Sequence, residues 1–124
     1  MAYLAVLVVN RSLVTVRGPS MEPALWEGDR LLTIPAWRGA VVPGRVVVVA
    51  DPDDPGHLVV KRVHARVYPG GVTPGRRELV EVRGDAADRS TDSRAWGPLP
   101  VSAVRRVVLR RWPDLRTRLS RPEP

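Results

Sequence analysis

The sequence predicts a mainly β domain, and three observations carry that expectation. Valine is abundant and comes in short runs such as Val46-Val47-Val48-Val49, and β-branched residues favour strands. Thirteen prolines and ten glycines break the chain into pieces suited to strands and turns rather than to a helical bundle. Phenylalanine is absent, so the core must rest on Val, Leu and Ala with four Trp. A length of 124 residues suffices for one domain with its own core.

The elements follow in order. Ala2 to Val9 is apolar and reads as a buried first strand or the remnant of an anchor. It is far short of the roughly 20 residues that span a membrane, and it lacks the flanks of a signal peptide. Leu13 to Arg17 reads as a strand that Gly18-Pro19 breaks just before Ser20. Leu25 to Gly28 is a short turn, Arg30 to Ile34 a strand, and Pro35 to Gly44 a loop with Trp37. Arg45 to Ala50 is a strand, and Asp51 to Gly56 has the composition of a turn. Leu58 to Tyr68 forms a hairpin with the preceding strand, and Pro69 to Gly75 turns the chain again. Glu78 to Arg83 alternates, with Val80 and Val82 on one face. Gly84 to Pro100 is polar and irregular, and Val101 to Trp112 is a final strand or strand pair. Residues 1–112 make a single domain, and 113–124 a Pro/Arg-rich tail, expected to be disordered.

The basic residues are unevenly chosen. Nineteen are arginine and one, Lys61, is lysine. Arginine stays charged at any workable pH, so a lone lysine marks a place where a removable proton is useful. In an extended strand Val59, Lys61, Val63, Ala65 and Val67 share one face, while Arg62, His64 and Arg66 share the other. An ammonium on the apolar face is costly, and its pKa should fall, as a general base requires. The bland alternative is a lysine that snorkels from a strand end.

Composition also excludes. There are no cysteines, hence no thiol nucleophile, disulfide or thiolate metal site. Two histidines are too few for most zinc sites, and no cofactor or metal is expected. Asp51, Asp53 and Asp54 resemble a metal cluster, but Pro52 and Pro55 among them favour a turn. The net charge of +7 suggests an anionic partner. The charge concentrates in Arg105, Arg106, Arg110, Arg111, Arg116, Arg118 and Arg121, where a solvated strand edge plus a tail accounts for it.

Gly18-Pro19-Ser20-Met21-Glu22-Pro23 sets a serine in a break between two apolar strands, a place where a sharp turn exposes a hydroxyl. Ser20-Met21-x-Pro23-x-Leu25 followed by Gly28-Asp29 resembles the nucleophile motif of type I signal peptidases. Leu58-Val59-Val60-Lys61-Arg62-Val63 resembles their general-base motif, preceded by the strand Arg45 to Val49. Gly84-Asp85 with Ser90-Thr91-Asp92-Ser93-Arg94-Ala95-Trp96-Gly97-Pro98 resembles their last motif. The chain is most similar to the short enzymes called nickel-type superoxide dismutase maturation proteases. That likeness rests on its length, on Val16-x-Gly18-Pro19-Ser20-Met21, and on the segment from Gly97-Pro98-Leu99-Pro100 to Val108-Leu109-x-x-Trp112-Pro113.

The resemblance implies a coiled β-sheet or partly open barrel without the large second β domain of full signal peptidases. It implies Ser20 as nucleophile and Lys61 as general base. Ser90 would orient the lysine, Asp92 and Arg94 would form a buried ion pair, and Gly84 and Asp85 would shape the loop. Met21 and Pro23 would contact substrate. The family often reads Gly-Asp-Asn-Arg where this chain reads Gly84-Asp85-Ala86-Ala87, and Arg89 is a candidate to compensate. Gly18 also stands where some members supply a second oxyanion donor. His64, opposite Lys61 and among arginines, reads as a surface residue rather than a triad member.

The expected protein is therefore a serine endopeptidase that removes an N-terminal propeptide, in particular that of nickel superoxide dismutase. Its partner is a precursor polypeptide; no nucleic acid is expected. With no run of transmembrane length, it is expected in the cytoplasm, with peripheral contact at a membrane as the alternative. A minimal signal peptidase is the alternative within the class. A basic module for nucleic acid or membrane surfaces is the alternative outside it, and that reading leaves Ser20, Lys61 and Ser90 without a role.

Overall fold

The computed structural model describes residues 12–69 and 78–112. The expectations for Ala2 to Val9, for most of the turn after Pro69 and for the tail lie outside the described residues. Seven strands form one antiparallel sheet: β1 (Ser12–Thr15), β2 (Arg30–Pro35), β3 (Val46–Asp51), β4 (Asp54–Val67), β5 (Leu79–Arg83), β6 (Leu99–Pro100) and β7 (Val104–Arg111). Their order is β1-β2-β7-β3-β4-β5-β6, so among the described residues the sheet has β1 and β6 at its edges and does not close into a barrel. The mainly β class is as the sequence predicts.

β3 explains its own valine run. Val47 and Val49 enter one core with Val63, Val80, Val82, Leu99, Val104 and Val107. On the other face Val46 packs with Val60 and Val108 against a second core of Val16, Met21, Leu25 and Leu31. A strand covered on both faces has no polar side to present, so alternation gives way to a continuous apolar stretch.

Three elements differ from the sequence reading. The arginine-bearing β7 is an interior strand, paired with both β2 and β3, rather than a solvated edge. Part of its charge is absorbed inside the protein: Arg106 Nε donates to Thr33 Oγ1 at 2.7 Å, and Arg111 lies 3.8 Å from buried Asp29. The turn after β3 is tighter than Asp51 to Gly56. Asp51 already pairs with Asp54, and the Asp53 amide donates to Asp51 Oδ1 at 2.8 Å, which is the turn chemistry its aspartates suggested. Gly84 to Pro100, read as irregular, holds a short helix α1 (Ser93–Trp96) and β6, which pairs with β5 through only two residues.

A fourth difference bears on the lysine strand. The alternation holds through Val63, which sits opposite Val82, but the register then slips so that Ala65 faces Glu81. His64 is left over as a β-bulge and is exposed. The bulge exchanges the faces beyond it. Arg66 pairs across from Val80, on the core side, while Ala65 and Val67 turn away. There Arg66 Nη1 donates to the Val41 carbonyl at 3.0 Å and the guanidinium forms an ion pair with Glu78, while its Nε is buried without a hydrogen-bond partner.

Candidate active site

Ser20 lies in the turn between β1 and β2. The turn exists because Gly18 adopts φ 77°, a left-handed conformation that side chains disfavour. Backbone bonds close its base: Val16 N donates to Asp29 O at 2.8 Å and Gly28 N to Val16 O at 2.9 Å. Asp29, 7% exposed, also accepts from the Trp26 amide. Met21 and Leu25 point inward and anchor the turn in the second core. The Ser20 carbonyl accepts from the Ala86 amide at 2.9 Å, which ties the turn to the loop after β5.

Lys61 is 4% exposed, in the middle of β4 and directly opposite fully buried Val47. Its Nζ donates to Ser90 Oγ at 2.9 Å. Burial lowers its pKa; the Asp92 carboxylate pulls the other way and Arg94 reinforces the lowering. Ser20 and Lys61 line the same cavity of about 120 Å³, whose walls include Val14, Val16, Met21, Val48 and Val60. Ser20 and the buried lysine are therefore both wall residues of one largely apolar cleft.

Behind the lysine stands a polar network. Ser90 Oγ donates to Asp92 Oδ2 at 2.7 Å. Asp92, 1% exposed, also accepts from the Gly84 amide at 2.8 Å and from Arg94 Nε at 2.9 Å, and it caps α1 through the Arg94 amide. Burial alone would raise the Asp92 pKa; the bonds from Arg94, Gly84 and Ser90 outweigh it and hold the carboxyl well below the usual range. Gly84 is there for space. A Cβ on it would lie 2.3 Å from Ser90 Oγ and 2.6 Å from the Ser20 carbonyl oxygen.

Of the residues singled out from sequence, Ser20, Met21 and Lys61 share the cavity, and Gly84, Ser90, Asp92 and Arg94 form the network beside it. Asp85 turns outward, into a two-pronged pair with Arg62 at 2.9 and 2.8 Å, while Arg62 Nη1 reaches the Gly44 carbonyl. Arg62 thus fastens the loop to β4, a role that sequence reasoning missed. Pro23 is exposed and is not among the cavity-lining residues; its carbonyl accepts from Trp26 Nε1. His57 at the cavity mouth was also missed, since an exposed histidine beside a turn carries no signal of its own. Among the described residues no three His, Asp or Glu converge in a way that would hold a metal ion.

Ser90→Ala is expected to remove the only side-chain acceptor shown for the lysine amine. Turnover should fall roughly tenfold with KM nearly unchanged, because an orienting contact is lost rather than a binding one. Steady-state kinetics on a cleavable precursor peptide measures both quantities, and a wild-type kcat would show the contact to be idle.

Comparison with known proteins agrees with this architecture. The sequence pattern described as signal peptidase, peptidase S26, matches residues 1–70. Mitochondrial inner membrane protease subunit 1 of Xenopus tropicalis is 32% identical over 123 residues, covering 82% of this chain and 69% of that protein. Mitochondrial ATP-independent inner membrane protease subunit 1a of Arabidopsis thaliana is 33% identical over 126 residues, covering 86% of this chain and 75% of that protein. No solved structure matches significantly. Fold and relatives together define a serine-type peptidase of the signal peptidase I kind. The chain belongs to the signal peptidase family, peptidase S26.

One expectation is overturned. The sequence reading placed the protein in the cytoplasm, whereas these relatives are named for the mitochondrial inner membrane. The physical reason is that the lack of a long apolar run in the sequence bears only on a spanning helix, not on where the domain resides. Among the described residues no helix is long and apolar enough to cross a membrane, yet a membrane enzyme needs none in its catalytic sheet.

Proposed function

We propose that this protein removes the N-terminal leader of a precursor polypeptide by a Ser20–Lys61 dyad. Neutral Lys61 takes the proton of the Ser20 hydroxyl as its oxygen attacks the scissile carbonyl, and returns that proton to the leaving amine. The acyl group then sits as an ester on Ser20 until water, deprotonated by the same amine, releases it. The Ser20 amide is the donor assigned to the developing oxyanion. The observation that carries this reading is the lysine itself: 4% exposed, hydrogen-bonded to Ser90 at 2.9 Å, and in one cavity with Ser20. A neutral amine can donate to Ser90 and still offer its lone pair to the serine.

The substrate is a leader-bearing precursor met beside a membrane, in keeping with relatives named as inner membrane proteases. Within that class the motif Val16-x-Gly18-Pro19-Ser20-Met21 favours the propeptide of a nickel superoxide dismutase. The family match favours secretory signal peptides with an Ala-x-Ala site as the second reading. Digestion of the two precursors side by side, with mass spectrometry of the products and Ser20→Ala as control, tests both. A single cut near the N-terminus of the dismutase precursor, with poor cutting of the secretory one, is the expected result. Efficient cutting of the secretory precursor alone would leave a minimal signal peptidase. Cutting of neither would remove the endopeptidase reading.

A further inference from the structure

We propose that Arg89 is a positioning residue: through its ion pair with Glu22 it locks the turn that bears Ser20 to the loop that bears Ser90. The proposal rests on the Ser20–Lys61 reading and adds to it a residue that sets the geometry of the dyad.

The loop after β5 reads Gly84-Asp85-Ala86-Ala87-Asp88-Arg89-Ser90. Its two alanines offer a neighbouring loop nothing polar beyond their backbone. Two polar contacts nevertheless cross from this loop to the serine turn. The Ala86 amide donates to the Ser20 carbonyl at 2.9 Å. Arg89 Nη1 donates to Glu22 Oε1 at 3.1 Å. One hydrogen bond fixes a point about which the loop could still pivot. A second contact, from the far end of the 3-10 turn Ala87–Arg89, stops the pivot.

The placement of the pair makes this matter for chemistry. Glu22 lies two residues after Ser20, and Arg89 immediately precedes Ser90. Ser90 in turn holds Lys61 Nζ at 2.9 Å. The pair therefore bridges the backbone that carries one hydroxyl and the backbone that carries the other. The surrounding packing leaves little slack, since a Cβ on Gly84 would already lie 2.6 Å from the Ser20 carbonyl oxygen. A shift of the loop against the turn passes into the separation of Ser20 from Lys61.

The pair is partly sheltered. The Glu22 side chain is 15% exposed and that of Arg89 51%, while Asp88, the competing partner, is 4.0 Å from Arg89 and 86% exposed. A half-exposed ion pair adds little to stability. Its value here is geometric, so removal should show in turnover more than in folding.

The test is steady-state kinetics on a precursor peptide, at low and at high salt, with circular dichroism to confirm folding. The proteins are wild type, Arg89→Ala, Glu22→Ala and the exchanged pair Glu22→Arg with Arg89→Glu. Each single substitution is expected to lower kcat roughly three- to tenfold, with KM little changed. The exchanged pair should recover most of the loss. High salt should bring wild type toward the single variants, because it screens the pair. Wild-type kcat in both single variants, a loss seen in KM instead, or an exchanged pair as slow as the singles would each overturn the proposal. Lys61→Arg run alongside separates the two readings: activity there would overturn the dyad and this proposal with it, whereas a dead Lys61→Arg beside a normal Arg89→Ala would overturn only the role of Arg89.

Discussion

Lys61→Arg is expected to abolish cleavage, lowering kcat/KM by at least about a thousandfold, in the range that a positioned general base contributes. The substitution keeps the positive charge and adds donors, so a lysine that served only as an ion or hydrogen-bond donor would tolerate it. Arginine fails as a base because its guanidinium does not give up its proton. Ser20→Ala should be as inactive. The wild-type profile follows from the same residue. Burial lowers the Lys61 pKa from its ordinary value, and in the proposed mechanism only the neutral amine can act as the base. Activity is therefore low at acid pH and rises as pH increases through that lowered pKa, while an unshifted lysine would delay the rise to about pH 10.4. Peptide-cleavage assays over pH 5 to 10 read the direction, and a profile flat across the neutral range would contradict it.

Asp92→Asn is expected to destabilise the fold by about 2 to 3 kcal/mol, and to impair turnover as well. Asp92 is buried and collects bonds from Ser90, the Gly84 amide and Arg94. Asparagine would turn one acceptor into a donor against this ring of donors. The figure is kept at the lower end for a broken buried pair because the Arg94 side chain is 35% exposed and can recover some hydration. The sign with pH follows from the lowered carboxyl pKa. The stabilisation is fully present above the unfolded value of about 3.9 and is lost as pH falls through the lower folded value. Urea unfolding of both proteins should show the full gap at neutral pH and a shrinking one only in strong acid. A gap unchanged by strong acid would mean that the carboxylate charge contributes nothing.

Lys61 was legible because β4 alternates cleanly as far as Val63: a lone lysine on a valine face announces its own desolvation. Beyond Val63 the same rule failed, since nothing in Val63-His64-Ala65 marks the bulge that sends Arg66 to the core side. The β class could be read from valine, proline and glycine, but the insertion of β7 between β2 and β3 could not. That pairing joins residues far apart in sequence, and its arginines imitate an edge. Ser90, Asp92 and Arg94 were visible only through family resemblance. Taken alone, a polar, glycine-containing stretch looks the same whether it faces water or wraps a buried carboxylate. Arg62 and Glu22 were passed over because surface and clamping charges are alike in sequence. The cellular placement failed for a different reason: it was drawn from an absence, and the lack of a long apolar helix among the described residues does not say where a catalytic sheet resides.

The most direct test replaces the amine at position 61. The chain contains no cysteine, so Lys61→Cys introduces a single thiol that can be alkylated with bromoethylamine in the unfolded protein before refolding. Alkylation rebuilds a side chain of lysine length with an amine at its end. Lys61→Cys should be inactive, and the alkylated protein should regain cleavage of the precursor, with a pH profile displaced toward acid because the thioether lowers the amine pKa. Activity in the unalkylated variant, or a refolded and fully alkylated protein that stays inactive, would contradict the assignment of Lys61 as the base.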